Sequence, residues 1–410
     1  MMIDLKKINI EKDRPYWLAF NIFQGIGPQR FFSLLKFFGS AEKAWQAGKE
    51  KWAELNWGSR LRESFFLFRQ KINPRRCYQE LIEKGSIEDK IFYNFDQKKS
   101  LSWVSQQGRY SRWLEKKIII LTLLDEEYPP LLKELDSPPF VLYLLTAQEK
   151  GDLKRLLADP FLAVVGTRKI TSYGQYATRY LAASLAASGL GIVSGLARGV
   201  DAIAHEAALS AQGRTVAVIG SGVDIIYPPE NKDLYKKIYQ EGAIISEFPP
   251  GMPPLPGNFP ARNRIIAGLS RGTLVTEGAL RSGSLITASL AAKAGREVLA
   301  VPGPINAPFS QGPLWLIKNG AAPVTCPDDV WEALGLSVSR ISSKKREGFS
   351  SLSSEEKKIL DLLSQEILAG DELALKAGLP INKLNSLLTE LEIKGIIENL
   401  SNGRWGIREN

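Results

Sequence analysis

The sequence predicts an α/β protein: a doubly wound sheet flanked by a helical N-terminal domain and a C-terminal winged helix. Three observations carry that prediction. Between residues 161 and 327, short apolar runs alternate with segments of helical period, the pattern of buried parallel strands joined by crossover helices. Several runs break at a glycine, as in Val165-Gly166 and Ser194-Gly195, where a strand turns into a helix. A serine- and lysine-rich stretch then sets off a last segment that reads as three helices and two strands. The expected boundaries are 1–115 for the helical domain, 116–335 for the sheet domain, 336–352 for a flexible linker and 353–410 for the winged helix.

Taken in order, residues 16–70 read as short helices. Gly25-Ile26-Gly27-Pro28 looks like the hairpin of a helix-hairpin-helix element; its N–H groups either cap a phosphate or form a plain turn. Trp45, Trp52, Trp57, Phe65, Phe66 and Phe68 are assigned to the core, and 86–108 is read as irregular. Residues 117–124 and 140–145 are strands, separated by Tyr128-Pro129-Pro130, where a helix cannot begin before the prolines. Asp125, Glu126 and Glu127 read as a solvated turn in preference to a metal site. Next come strand 161–165 and a helix from Ser172, with Ala177, Tyr180, Leu181, Ser184 and Leu185 on one face. Further strands are read at Ile192-Val193, 215–219, 243–246, 273–276 and 298–301, and further helices from Val200 and over 285–294. Beyond the linker, helices start near Ser353 and cover 371–377 and 381–394, followed by strands at Ile396-Ile397-Glu398 and Trp405-Gly406-Ile407. The last helix carries Lys383 and Lys394 against Glu390 and Glu392, so an interaction module is expected in preference to a base reader.

The turns point to phosphate. A strand that breaks at Gly166 and enters a helix at Ser172 aims free N–H groups and a helix dipole at one place, and Arg168 and Lys169 add full charges. Arg168, Lys169, Arg198, Arg262, Arg264 and Arg281 all fall in predicted loops at or near strand ends, and a guanidinium fork suits phosphate oxygens. Phe259, three residues before Arg262 in a proline-bounded loop, is a platform for an unpaired base. The alternative for each arginine is an ion pair with Asp201, Asp224, Glu247 or Glu277. A dinucleotide fingerprint is missing, because Gly166 stands alone and Gly220-Ser221-Gly222 lacks its third glycine; no P-loop occurs. His205, the single histidine, lies four residues after Asp201 and is expected to pair with it structurally. With no second histidine, triad catalysis has no support.

Five runs carry a likeness as well as a geometry: Val165-Gly166-Thr167-Arg168, Ile192-Val193-Ser194-Gly195-Leu196-Ala197-Arg198-Gly199-Val200-Asp201, Ile226-Tyr227-Pro228-Pro229-Glu230-Asn231, Gly257-Asn258-Phe259-Pro260-Ala261-Arg262-Asn263-Arg264-Ile265-Ile266 and Arg281-Ser282-Gly283-Ser284-Leu285-Ile286-Thr287-Ala288. In this order they closely resemble the DprA/Smf family of DNA-processing proteins. The resemblance implies a Rossmann-like domain that binds single-stranded DNA, dimerises, protects incoming DNA in natural transformation and helps to load the RecA recombinase. It implies neither catalytic turnover nor a cofactor, and it fits a SAM-like or helix-hairpin-helix N-terminal domain. Carried over, the strand-binding residues are Gly166, Thr167, Arg168, Gly220, Ser221, Gly222, Phe259, Arg262 and Arg264. Some members have a lysine shortly before the phenylalanine; Pro256 here removes that phosphate contact. A second reading, a nucleotide hydrolase resembling phosphoribohydrolases, draws on Glu277 and Arg281. It lacks their Pro-Gly-Gly-x-Gly-Thr turn, replaced by Ser270-Arg271-Gly272-Thr273.

Charge narrows the partner. The formal net charge is +9, and it is uneven. Residues 1–118 hold 23 basic against 13 acidic residues, whereas 119–335 hold 19 against 20 and 336–410 hold 11 against 11. That asymmetry favours a polyanion. Cys77 and Cys326 are read as reduced thiols of a cytoplasmic protein, and no apolar segment is long enough to span a bilayer.

Overall fold

The computed structural model describes residues 9–84, 118–148, 152–336, 354–365, 367–393, 397–400 and 404–407. The irregular reading of 86–108 and nearly all of the linker lie outside these residues.

The chain opens with six helices, α1 (Ile10–Ile22), α2 (Pro28–Phe38), α3 (Ala41–Gln46), α4 (Lys49–Ala53), α5 (Ser59–Lys71) and α6 (Pro74–Lys84). Their aromatic residues interlock: Trp52 stacks on Phe65 at 4.4 Å, and Phe20 stacks on the same ring at 5.3 Å. Trp45, Trp52, Phe65, Phe66 and Phe68 are buried, and Trp57 is half-buried. Among the described residues this helical layer shares one core with the sheet. Phe31 stacks on Phe140 of the sheet region at 3.9 Å, Tyr143 donates to Asn21, and Arg14 pairs with Asp125. Asp125 also accepts from Thr122, so the acidic turn is tied internally. Residues 1–337 accordingly form one compact unit, and residues 338–410 a second.

The sheet strands are β1 (Ile119–Thr122), β2 (Val141–Leu145), β3 (Phe161–Val165), β4 (Gly191–Ser194), β5 (Thr215–Val218), β6 (Ala243–Ser246), β7 (Gly272–Val275), β8 (Glu297–Ala300) and β9 (Ala322–Pro323). Their order across the sheet is β1-β2-β6-β5-β4-β3-β7-β8-β9. The run from β6 to β9 is parallel throughout, and β2 is antiparallel to both of its neighbours. Between the strands lie α7 (Pro130–Lys133), α8 (Leu153–Leu156), α9 (Ser172–Ala187), α10 (Val200–Ser210), α11 (Lys232–Glu241), α12 (Asn258–Leu269), α13 (Gly283–Lys293) and α14 (Gln311–Lys318), and α15 (Pro327–Ala333) follows β9. β2 to β7 are buried along their whole length, as continuous apolar runs between two helical layers require.

Two expectations change here. The buried stripe of α9 is Ala177, Leu181, Ala182 and Leu185, whereas Tyr180 is 41 % exposed on the outer side. Residues 257–266 are not a loop: α12 begins at Asn258, and Phe259, Arg262 and Arg264 ride on its first two turns. Pro260 is tolerated there because the first N–H groups of a helix have no intrahelical partner.

The second unit holds α16 (Ser354–Gln365), α17 (Gly370–Ala377) and α18 (Ile381–Ile393), with a small sheet of β10 (Leu368–Ala369), β12 (Arg404–Ile407) and β11 (Ile397–Leu400) in that order. Its own core includes Ile359, Leu373, Leu384, Leu388 and Ile397. Three helices on an antiparallel ribbon make a winged helix. Among the described residues no helix is long and apolar enough to cross a membrane, and no cluster of three or more metal-ligating side chains occurs.

Candidate functional site

From β3 the chain winds outward through β4, β5 and β6 on one side, and through β7, β8 and β9 on the other. The connections after β3 and β7 therefore diverge, which opens a crevice at the carboxyl ends of these two strands. The first surprise lies in it. The N-terminus of α9, expected to receive a phosphate, already holds an anion. Glu277, just beyond β7 and 3 % exposed, accepts from the Thr171 N–H at 3.0 Å and from the Thr171 hydroxyl at 2.5 Å. Its own carbonyl accepts from Thr167 N–H at 2.8 Å. The second turn is satisfied in the same way, because Asp201 accepts from the N–H groups of Gly195 and Ala197 at 3.2 and 3.3 Å. Both helix-entry turns are closed by the chain's own carboxylates.

Beside the crevice lies an open cavity of about 610 Å³, bounded by the loop after β3, the first turns of α12 and the start of α13. At its rim Arg168 sits over the Phe259 ring at 5.9 Å, a cation–π distance, and Tyr227 packs tilted against the same ring at 5.6 Å. Gly220 lies beneath this ring: a Cβ there would stand 3.0 Å from Phe259 Cδ1, so the glycine makes room for the aromatic platform. Arg168 and Lys169 are exposed, and among the described residues neither forms an ion pair. Gly166 and Thr167 line the same cavity, with Thr167 Oγ1 accepting from Lys169 N–H. Opposite them, Ser282, Gly283 and Ser284 bring the start of α13, which has no side-chain cap.

Arg262 lines the floor, but as a structural group. It is 4 % exposed; Nη1 donates to Gly195 O at 2.8 Å and also to Val218 O, and Nε donates to Asn263 at 3.2 Å. Burial lowers its pKa to about 10, opposed by the nearby Asp201 carboxylate. Asp201 is itself raised by burial, with Arg262 acting against that rise.

The remaining expected residues lie elsewhere. Arg264 turns away and pairs with Glu247, each largely buried, so it serves the packing of α12. Ser221 and Gly222 are buried: Ser221 donates to Ile225 O, and Gly222 N–H donates to Met252 O at 2.8 Å. Arg198 stays exposed beside the cavity but pairs with Glu230. Arg281 lines a different, largely apolar groove with Leu285, Leu290, Val298 and Trp315. Glu277 and Arg281, the basis of the hydrolase reading, therefore belong to separate surroundings. His205 does not pair with Asp201. It is fully buried, and its Nδ1 lies 2.7 Å from Thr215 Oγ1; burial lowers its pKa to about 3. The Thr215 hydroxyl donates to Ile192 O, so Nδ1 carries the proton in this pair. Asn263 and Tyr227 were missed from the expected site although both stand in the quoted motifs. Their side chains reach the cavity through helical and turn geometry that linear order does not display.

Three comparisons agree with this architecture. Residues 119–335 match the family model described as DNA recombination-mediator protein A, and residues 348–403 match the one described as the DprA winged helix domain. Protein Smf of Escherichia coli is 41 % identical over 72 % of this chain and 79 % of its own length. Protein Smf of Synechocystis is 33 % identical over 94 % of this chain and 96 % of its own. The X-ray structure of DNA processing protein A (DprA) from Streptococcus pneumoniae superposes with a TM-score of 0.59 at 32 % identity, covering 78 % of this chain and 97 % of that one.

Proposed function

The chain belongs to the DNA recombination-mediator protein A family, and from that premise we propose that it binds single-stranded DNA and hands it to a RecA-type recombinase. In this reading it works in the cytoplasm without turnover, metal or cofactor, and protects incoming DNA during natural transformation. One observation carries the reading. An exposed arginine that forms no ion pair among the described residues stands over an aromatic ring at the mouth of an open cavity. The guanidinium suits a phosphate, and the ring offers a face to a base, which is free to stack only when unpaired. The strand contacts are Gly166, Thr167, Arg168, Lys169 and Phe259, with Gly220 and Arg262 shaping the site from beneath.

Binding of a labelled oligonucleotide, single-stranded and then annealed to its complement at matched salt, tests this. Tighter binding of the single strand is expected, and equal affinities overturn it. The apolar groove lined by Leu285, Leu290, Val298 and Trp315, the last 47 % exposed, supports a homodimer through the sheet domain. A monomeric mass at micromolar concentration counts against that.

A further inference from the structure

We infer that Glu277 is a built-in anion that holds the Arg168 loop in shape, in the place where a doubly wound fold otherwise receives a ligand phosphate. Its carbonyl takes Thr167 N–H at 2.8 Å, and its carboxylate takes the N–H and hydroxyl of Thr171. Both ends of the loop 167–171 are thus tied to one buried residue, and the exposed Arg168 and Lys169 project between the ties. Gly174 supplies an independent mark of the same arrangement. It lies in the first turn of α9, and a Cβ built on it would come within 2.2 Å of Glu277 Oε2. The helix brings its bare backbone against the carboxylate, where its dipole favours a negative charge. Glu277 is a positioning residue: it acts on the strand through Arg168, and it leaves no room at this helix for a free nucleotide phosphate.

The inference rests on the strand site proposed above, so the test separates the two. Single-strand affinity is measured at fixed ionic strength for the full chain and for Glu277→Ala, Arg168→Ala and their combination. Glu277→Ala is expected to weaken binding about tenfold, approaching the loss from Arg168→Ala, and the double variant to lose little beyond Arg168→Ala alone. Replacing chloride by acetate is expected to restore part of the affinity of Glu277→Ala and to leave the parent unchanged, because a free carboxylate fills the emptied position. A purely structural role shifts melting temperature but gives no acetate-specific recovery of binding. Additive losses, or parental affinity in Glu277→Ala with weakened Arg168→Ala, overturn the positioning role and leave the strand site standing. Parental affinity in Arg168→Ala overturns the strand site itself. Should the alanine variant fail to fold, Glu277→Gln keeps the volume without the charge; a smaller loss, about threefold, is then expected, and parental affinity there equally overturns the role.

Discussion

Arg168, Arg262 and Arg264 are the same residue in three environments, and environment decides what each does. Arg168 is exposed, with its guanidinium over Phe259 and, among the described residues, no ion-pair partner. Arg168→Ala should therefore weaken single-strand binding by about ten- to a hundredfold, the value of roughly 1.5–3 kcal/mol for a hydrogen bond to a charged group. Thermal stability should hardly move, and Arg168→Lys should recover part of the loss, keeping the charge without the fork. An affinity series read beside melting curves checks both halves. Arg262 is expected to behave in the opposite sense. Its removal strands Gly195 O and Val218 O and leaves the Asp201 carboxylate buried without its counter-charge. Arg262→Ala should cost about 3–5 kcal/mol in urea unfolding, as for breaking a buried charge pair; parental stability would refute this. The sequence reads all three arginines as loop residues near strand ends, yet Arg262 and Arg264 ride on α12, and spacing alone does not reveal whether an acid lies across the fold. Glu247, partner of Arg264, is 17 positions away.

At the scale of elements, what was legible followed from physics that is local in the chain. β3, β6 and the start of α9 fall where the apolar runs and the break at Gly166 put them, because a parallel strand buried on both faces must be continuously apolar. The start of α12 reads as a loop in the sequence because Gly257 and Pro260 mask its first turn, and its hold on the sheet comes from tertiary contacts. The second helix-entry turn is closed locally by Asp201, four to six residues on, whereas the turn before Ser172 reads as empty because the carboxylate that fills it arrives from elsewhere. Glu277 reaches Thr171 across 106 positions. α10 gives a prediction of its own through His205. Its folded pKa of about 3 lies below the ordinary 6.5, so the unfolded chain binds the extra proton between these values. Stability from this site is complete above about pH 6.5 and is lost as pH falls toward 3, by roughly 5 kcal/mol in total. Asp201 and Glu247, raised by burial, work the other way: the folded state keeps their protons longer, so they favour folding at the acid end. His205→Gln should flatten the fall in unfolding free energy between pH 6.5 and 4.5 (about the upper half of that window). An unchanged slope would show that the imidazole is not the group responsible.

At the scale of the whole molecule, the two units differ in charge and in the cations they can offer. The winged helix is slightly acidic, with 7 basic against 10 acidic residues over 353–410. Its third helix, α18, spends Lys383 on an ion pair with Glu355 of α16. A helix that enters a groove needs free cations toward phosphates, and this one has little to offer. The strand site proposed here lies wholly within residues 1–337, which share continuous packing from Phe31 and Phe140 into the sheet. A chain ending at Ser337 should therefore bind single strands within about threefold of the full chain, a difference of less than 1 kcal/mol. It should also show the same slope of log affinity against log salt, since that slope counts the phosphates neutralised. Oligonucleotide titrations of both chains from low to physiological salt check this. A tenfold loss with a shallower slope would mean that the winged helix supplies phosphate contacts after all, and the strand path would then have to extend beyond the sheet domain. An equal slope with equal affinity would leave α18 and the small sheet free for a protein partner.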